Sequence, residues 1–201
     1  MKLVIWGLAA GLAVTGLQAE EDSGHYFKFD VGANYTGDLH QDFKNIPGDR
    51  DLKMNLGLRT SVAEGLALNR FFALEVESAF LWNELDHSTD WVIQVPVFAN
   101  AVLGYQSKRV GAYVAAGGGS ACVIAKTMLF EHDTDLTVVP AWQGTAGLNY
   151  NFGGGLSVGL VYKYMGIQDP KFELTIQGTT EVFKFHNLHN HYGGLQLVYS
   201  F

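Results

Sequence analysis

Three histidines near the end of the chain are candidates for coordinating a metal ion. His186, His189 and His191 lie within "HNLHNHY" at 186–192. In an extended strand alternate side chains share a face, so His189 and His191 would point the same way. A zinc site needs three or four ligands, and the spacing brings no cysteine or carboxylate to complete a set. We therefore expect solvated histidines where a loop meets a strand, with no metal and no cofactor.

Nucleophilic catalysis is the second chemistry to consider. The stretch "DHSTD" at 86–90 contains Asp86, His87 and Ser88, the residue types of a catalytic triad. Adjacent residues in an extended chain point apart, so these three cannot form a triad on their own. The glycine-rich "GGGS" at 117–120 is not followed by the helix and lysine of a phosphate-binding loop. We assign no catalytic residue and expect that the protein is not an enzyme.

Two carboxylates, Glu75 and Glu77, lie two residues apart and would share one face of a strand. Such a pair could supply a general acid and a general base. Arg59 and Lys163, however, also lie on polar faces of strand-like segments. Ion pairs, such as Arg59 with Glu75 or Glu77 on neighbouring strands, would neutralise the carboxylates. We favour this structural role over acid–base catalysis.

The composition narrows the class of protein. The chain has 201 residues, of which 48% are hydrophobic and only 16% charged, with a net charge of -7 and one cysteine, Cys122. Soluble domains carry about 25% charged residues. The acidic balance, without a basic stripe, argues against nucleic acid as a partner. A single cysteine excludes an internal disulfide framework.

The first residues are typical of a secretory signal peptide. "MKLVIWGLAAGLAVTGLQA" has Lys2, an apolar run from Leu3 to Leu17 and a small residue, Ala19, at its end. The run is short for a membrane-spanning helix, which needs about 20 apolar residues. We expect residues 1–19 to be removed during export and residues 20–201 to form the mature domain.

Period-two alternation of apolar and polar residues recurs along the mature chain and predicts β-strands. The predicted strands are eight segments of about ten residues, the length of a tilted transmembrane strand. They are 25–35, 52–62, 71–82, 91–105, 110–123, 141–152, 156–166 and 192–201.

The connections between these segments alternate in length. Long, mostly acidic connections follow the odd-numbered segments, at 36–51, 83–90, 124–140 and 167–191. Short ones follow the even-numbered segments, at 63–70, 106–109 and 153–155. Long loops at one end and short turns at the other are typical of outer-membrane barrels. Two alternating runs around "GTT" in 171–185 also suggest a hairpin within the last long loop, either as a docking edge or as a rigid extension of the strands.

The charged residues indicate which face of a closed barrel points inward. The alternating segments carry both signs of charge on their polar faces, and an eight-stranded interior is just wide enough for side chains to fill it. We predict a polar network in the lumen, and also place Lys53 on this face. The network consists of Lys28, Asp30, Arg59, Glu75, Glu77 and Lys163. The opposite faces end in aromatic residues such as Phe27, Tyr35, Trp82, Trp142 and Tyr199, as in the aromatic girdles of membrane barrels.

Several stretches together resemble a known family. They are "QVPVFANAVLGYQ", "GAYVAAGGGSA", "GTAGLNYNFGGGLSVGLVYKYMGI" and the terminal "GGLQLVYSF". In their order, spacing and aromatic end they are similar to the outer-membrane β-barrel (OmpA/OmpX/Opa-like, porin-family) proteins of Gram-negative bacteria. The resemblance implies an all-β fold, an eight-stranded antiparallel up-and-down transmembrane β-barrel. This chain departs from OmpA in having no peptidoglycan-binding domain after the barrel, so the resemblance does not extend to tethering to the cell wall.

The resemblance also implies how the protein reaches its membrane. Family members are inserted by the barrel-assembly machinery after periplasmic chaperones have delivered them. The last segment, with Gly194, Leu197, Tyr199 and Phe201, looks like the signal that this machinery reads. The expected partners are therefore outer-membrane lipid, the chaperones and the assembly machinery, while a partner outside the cell, met through the loops, is left open.

These patterns favour an integral outer-membrane protein with a structural or surface-interaction role, long acidic extracellular loops and a side-chain-filled lumen. Three alternatives stay open. They are a narrow channel for small solutes, a lipid-modifying outer-membrane enzyme and a soluble periplasmic barrel that binds a ligand.

Overall fold

The computed structural model describes residues 24–37, 39–43, 50–86, 90–126, 135–176, 179–186 and 188–201. The expected signal peptide, residues 1–19, lies outside the described residues. Among those that are described, no helix is long and apolar enough to cross a membrane.

The described residues form twelve β-strands. In chain order these are β1 (His25–Thr36), β2 (Leu39–Phe43), β3 (Arg50–Leu52), β4 (Gly57–Ala67), β5 (Phe72–Glu84), β6 (Trp91–Gln106), β7 (Val110–Lys126), β8 (Asp135–Gly153), β9 (Leu156–Ile167), β10 (Lys171–Ile176), β11 (Thr179–His186) and β12 (His189–Ser200).

Eight of these strands close into an antiparallel barrel in the order β1-β12-β9-β8-β7-β6-β5-β4, with β4 pairing back to β1. The seam joins the first and last strands, where Phe29 lies opposite Leu197. Closure leaves no edge strand in the barrel, so every strand has hydrogen-bonded neighbours on both sides. The predicted all-β, eight-stranded antiparallel barrel is confirmed.

The other four strands form a separate sheet in the order β10-β11-β2-β3. The hairpin expected around "GTT" is present, because β10 pairs with β11 and Phe172 lies opposite Phe183. The sequence did not predict that β11 would also pair with β2 from the first long connection. The first and last long connections therefore support each other, and the last barrel strand begins at His189 rather than at residue 192.

The second barrel strand differs from its prediction. It begins at Gly57, not at residue 52, since Leu52 belongs to β3 and Met54 forms an isolated bridge with Leu85. Met54 is buried and Lys53 is exposed, so the placement of Lys53 on the lumen face was wrong. Alternation alone misled the prediction, because residues 52–58 keep the same apolar–polar period although the chain changes sheets at Met54.

The apolar faces of the barrel strands point outward. Leu160 on β9, Leu148 on β8 and Val76 on β5 each expose about six-tenths of their area, at 63%, 60% and 61%. The charged faces point into the barrel and are buried. Proteins in water bury such residues the other way round, so this arrangement is the inverted pattern of a membrane barrel.

A pair of glycines makes room inside the seam. Gly32 and Gly194 lie opposite each other across β1 and β12, and both occupy inward-facing positions. A Cβ atom on Gly194 would overlap Tyr192 Oη and would approach the Val31 carbonyl oxygen to 2.6 Å. The space that Gly194 leaves free is therefore filled by the buried Tyr192 side chain.

Replacing Gly194 with alanine should destabilise the seam. Tyr192 is 1% exposed and cannot move aside without disturbing its neighbours, so we expect Gly194→Ala to cost about 1–3 kcal/mol, as overpacking does. Urea unfolding of the refolded barrel, followed by its heat-modifiable gel mobility, measures this. Gly193→Ala is the matched control, since a Cβ there meets nothing within 4 Å. Equal stability of the two variants would contradict this account of the seam.

Candidate functional site

The six residues predicted for the lumen network are all buried. Lys28 and Asp30 come from β1, Arg59 from β4, Glu75 and Glu77 from β5, and Lys163 from β9. None exposes more than 8% of its area. The strand alternation explains this, because each lies at an inward position of its strand.

Glu77 is the centre of the network. Its Oε1 atom accepts hydrogen bonds from Arg59 Nη2 at 3.0 Å and from Lys163 Nζ at 2.5 Å. Lys163 Nζ also lies 2.5 Å from Asp30 Oδ2 and donates to Ser61 Oγ at 3.2 Å. The sequence suggested that Arg59 would pair with Glu75 or Glu77, and the structure places it on Glu77.

A second ion pair lies toward the short-turn end. Lys28 Nζ is 2.6 Å from Glu75 Oε2, and Tyr26 Oη donates to the same oxygen at 3.1 Å. The Lys28 ammonium also sits 4.1 Å from the centre of the Tyr113 ring, a cation–π distance. With three cations and three carboxylates, the six-residue network carries no net charge.

Several contacts join strands that are diametrically opposite in the ring of eight, four places apart in the barrel order. Lys163 on β9 meets Glu77 on β5, and Gln143 on β8 accepts from Arg59 on β4 at 3.1 Å. Lys28 on β1 reaches Tyr113 on β7. These side chains cross the lumen and fill it at several heights.

A cluster of amides and a hydroxyl forms a further polar layer that the sequence did not single out. Asn190 Nδ2 donates to Gln94 Oε1 at 2.9 Å across the barrel, from β12 to β6. Asn34 Nδ2 donates to Asn83 Oδ1 at 2.8 Å, and Thr36 Oγ1 donates to Asn190 Oδ1 at 2.6 Å. The alternation in "HNHY" at 189–192 could have predicted this layer, because Asn190 and Tyr192 occupy the face opposite the two histidines. Only the histidines of this stretch were considered from the sequence.

Toward the loop end the lumen also contains a cluster of buried apolar side chains, which the sequence did not predict. Leu81, Val123, Met165 and Leu188 are at most 2% exposed and belong to one cluster of buried side chains. They lie near the ends of β5, β7 and β9 and at the start of β12, where the long connections begin or end. Leu81 lies opposite Arg59 on β4 and Gln94 on β6, and Asn83 is the next inward residue of β5, so the apolar cluster lies beside the amide layer rather than beyond it.

A cavity of about 240 Å³ opens at the other end, near the short turns. Tyr26, Lys28 and Tyr113 lie in its wall, whereas Arg59, Glu77 and Lys163 do not. The cavity therefore ends at the ion-pair network.

The candidate metal ligands lie on the outside of the barrel. The rings of His189 and His191 share the outward face, with centroids 6.2 Å apart, and His191 Nδ1 lies 2.7 Å from Tyr162 Oη. His186 Nδ1 instead lies 2.5 Å from Asp169 Oδ2. Within the described ranges, no group of three or more His, Cys, Asp or Glu residues is arranged to hold a metal ion. His87 and Ser88, weighed for catalysis, are outside the described residues.

The residues expected to form the assembly signal lie along β12 and just after it. Leu197, Tyr199 and Phe201 are exposed on the outer face, while Gly194 faces inward. The Phe201 ring packs edge-on against Phe27, 5.6 Å away, and against Tyr199, 5.0 Å away. The Phe201 amide donates to the His25 carbonyl oxygen at 3.1 Å, which extends the seam by one residue.

No protein-family model and no curated protein matches the sequence. The fold, however, is similar to solved outer-membrane proteins. OprG from Pseudomonas aeruginosa has a TM-score of 0.65 at 11% identity, over 88% of this chain and 97% of OprG. Neisserial surface protein A gives 0.56 at 12%, over 89% and 98% of the two chains. The outer membrane protease OmpT from Escherichia coli gives 0.51 at 7%, over 92% and 99%. The fold is thus that of outer-membrane barrels, and the fold alone fits proteins with different roles.

Removing Lys163 should destabilise the barrel strongly. Lys163→Met leaves Asp30 and Glu77 buried with one cation fewer, and breaking a buried pair in this way costs about 3–5 kcal/mol. Lys53→Met, at an exposed lysine outside the barrel strands, is the control and should change stability little. Urea unfolding in lipid bilayers measures both.

The double variant Lys163→Met with Asp30→Asn tests the electrostatic cause. It restores charge balance in the lumen, so it should recover part of the lost stability. If Lys163→Met were as stable as Lys53→Met, the network would not contribute to stability as described.

Proposed function

We propose that the protein is an integral outer-membrane β-barrel without catalytic or channel activity, which acts through the surface that its loops present outside the cell. The observation that carries this proposal is the set of contacts that cross the lumen, above all Lys163 with Glu77. A lumen filled by paired charges, by hydrogen-bonded amides and by a cluster of apolar side chains has no continuous aqueous path.

The outer surface supports membrane insertion over the alternative of a soluble periplasmic barrel. Exposed aromatic residues form one belt near the short turns and a second toward the long connections. The first contains Phe27, Phe72, Tyr105, Tyr150, Phe152, Tyr199 and Phe201, and the second contains Tyr35, Trp82, Trp142 and Tyr162. Aromatic rings of this kind settle at the two lipid–water interfaces. The similarity to solved outer-membrane proteins points the same way.

Export and assembly complete the proposal. A cleaved signal peptide at residues 1–19 would carry the chain to the periplasm, where chaperones would deliver it to the barrel-assembly machinery. Gly194, Leu197, Tyr199 and Phe201 would be read by that machinery. What supports this role is that Leu197 and Tyr199 lie on the exposed face of β12 and Phe201 directly follows it, beside the closing strand β1.

The sheet formed by β10, β11, β2 and β3 supports a surface role. It is built from the long connections, which lie outside the membrane, and β10 and β3 are its two ends. Backbone groups at the edge of a sheet can pair with a strand from another molecule. An extended segment of an extracellular partner is therefore the kind of ligand that we propose for the loops.

The narrow channel is the second candidate, because the cavity of about 240 Å³ enters the barrel from the short-turn end. Planar-bilayer recordings separate the two functions. We expect no steady conductance, since the cavity ends at the ion-pair network. A neutralised double variant, Lys163→Met with Glu77→Gln, tests whether the network itself blocks the path. Steady, sizeable currents from the unmodified protein would overturn the proposal in favour of a channel.

The assembly-signal role of Phe201 predicts different results inside and outside the cell. An acidic residue near the lipid–water interface costs only about 0–1 kcal/mol, so Phe201→Asp should still fold into pure lipid vesicles. In cells the same variant should lose most of its folded, heat-modifiable form, because the assembly machinery no longer recognises it. Gln168→Asp adds the same charge at an exposed connection and is the control. Normal insertion of Phe201→Asp in cells would contradict the role.

A further inference from the structure

A groove of about 440 Å³ lies on the outer face of the barrel at the loop end. It forms where β8 continues past its partner β9. The last regular pair is Ala141 with Ile167, and the Gln168 amide then donates to the Pro140 carbonyl oxygen at 2.9 Å before the chain turns away. Its outward walls include Trp142, Tyr164 and His189, and Gln168 and Asp169 form its rim.

Trp142 provides a fixed aromatic platform in this groove. Its indole lies flat against Gly166 on β9, where a Cβ atom would come within 2.5 Å of Trp142 Cε2 and 2.7 Å of Nε1. The Tyr164 ring holds it from the side, with centroids 5.2 Å apart. The indole nevertheless leaves 53% of its area exposed. A glycine covered by an aromatic ring in this way fixes the orientation of the ring.

His189 is held in the same manner on the other side of Tyr164. Its Nε2 atom lies against Gly37, where a Cβ would be 2.7 Å away, and the Gly37 amide donates to the His189 carbonyl oxygen at 2.9 Å. The His189 and Tyr164 rings are 6.3 Å apart. The groove therefore has a row of three rings, two of them fixed against glycines.

The rim of the groove is polar, and its described residues include no lysine or arginine. Gln168 is exposed, and the Asp169 carboxylate interacts with His186. Among the described residues that line the groove there is no lysine or arginine, while Asp169 is acidic. Arginine and lysine are the usual ligands of phosphate groups. This charge pattern disfavours a phosphate and suits a neutral ligand with many hydroxyls.

We infer that this groove binds the sugar headgroup of a glycolipid in the surrounding leaflet. A sugar ring presents an apolar face of C–H groups, which fits the exposed indole, and a rim of hydroxyls, which fits amide and carboxylate acceptors. Trp142 belongs to the aromatic belt toward the long connections, so the groove lies at the depth of lipid headgroups. The inference rests on the proposed outer-membrane location and names a ligand that the proposed function leaves unassigned.

Native mass spectrometry of the refolded protein in detergent micelles measures how it binds three lipids. The probes are a rough lipopolysaccharide, the same glycolipid after phosphatase treatment, and phosphatidylglycerol. We expect both glycolipids to bind with similar affinity and phosphatidylglycerol to bind more weakly. Trp142→Ala should weaken glycolipid binding by about tenfold, the upper range for one aromatic contact. Trp82→Ala, which removes another exposed ring of the same belt, should leave binding unchanged.

The possible outcomes distinguish failure of the sugar site from failure of the proposed membrane function. Loss of binding after phosphatase treatment, equal binding of phosphatidylglycerol, or equal effects of the two tryptophan variants would overturn the sugar site. Heat-modifiable mobility and insertion into vesicles are measured on the same samples. Normal insertion together with no preference for the glycolipids would refute the inference alone, whereas failure to insert would refute the proposed membrane function and the inference with it.

Discussion

A charge inside this barrel is solvated neither by lipid nor by bulk water, so it must be neutralised by another side chain. Burial of an unpaired ion costs several kcal/mol even after relaxation, and an opposite charge with good geometry offsets that cost. Glu77 meets this constraint with Arg59 and Lys163, and Glu75 meets it with Lys28. The balance of three cations and three carboxylates in the six-residue network follows from this requirement, as does the filling of the lumen.

The outward surface follows from the same strands. Since successive side chains point to opposite faces, each inward charge fixes its neighbours as lipid-facing residues. Lys163, for example, lies between Tyr162 and Tyr164, which both face outward beside His191. The polar network and the aromatic belts are therefore two consequences of one alternation, and a shift of one residue in register would expose charges to lipid and bury the aromatic rings.

How far the sequence predicts this molecule depends on which contacts are local. Alternation was enough to place Lys28, Asp30, Arg59, Glu75, Glu77 and Lys163 in the lumen, because inward position is a property of a strand. It could not show that Arg59 chooses Glu77 over Glu75, since that choice depends on the register between β4 and β5. It failed at Lys53 and Met54, where the same period continues while the chain passes from one sheet to another. The pairing of β11 with β2, and the apolar cluster around Leu81 and Met165, join distant parts of the chain and left no local pattern to recognise.

The seam between β1 and β12 has a kinetic consequence. When the strands of the separate sheet are left out, every other neighbouring pair in the barrel joins strands that follow one another in the chain. At the seam, by contrast, Phe29 and Leu197 come from opposite ends of the described residues. Contacts of high sequence separation form slowly, because the entropy of closing the chain must be lost before they stabilise anything. Until the seam forms, β1 and β12 are two open edges with apolar faces, and such intermediates aggregate readily. The time between the folding of the sheet and its closure is then the interval in which this chain most needs protection.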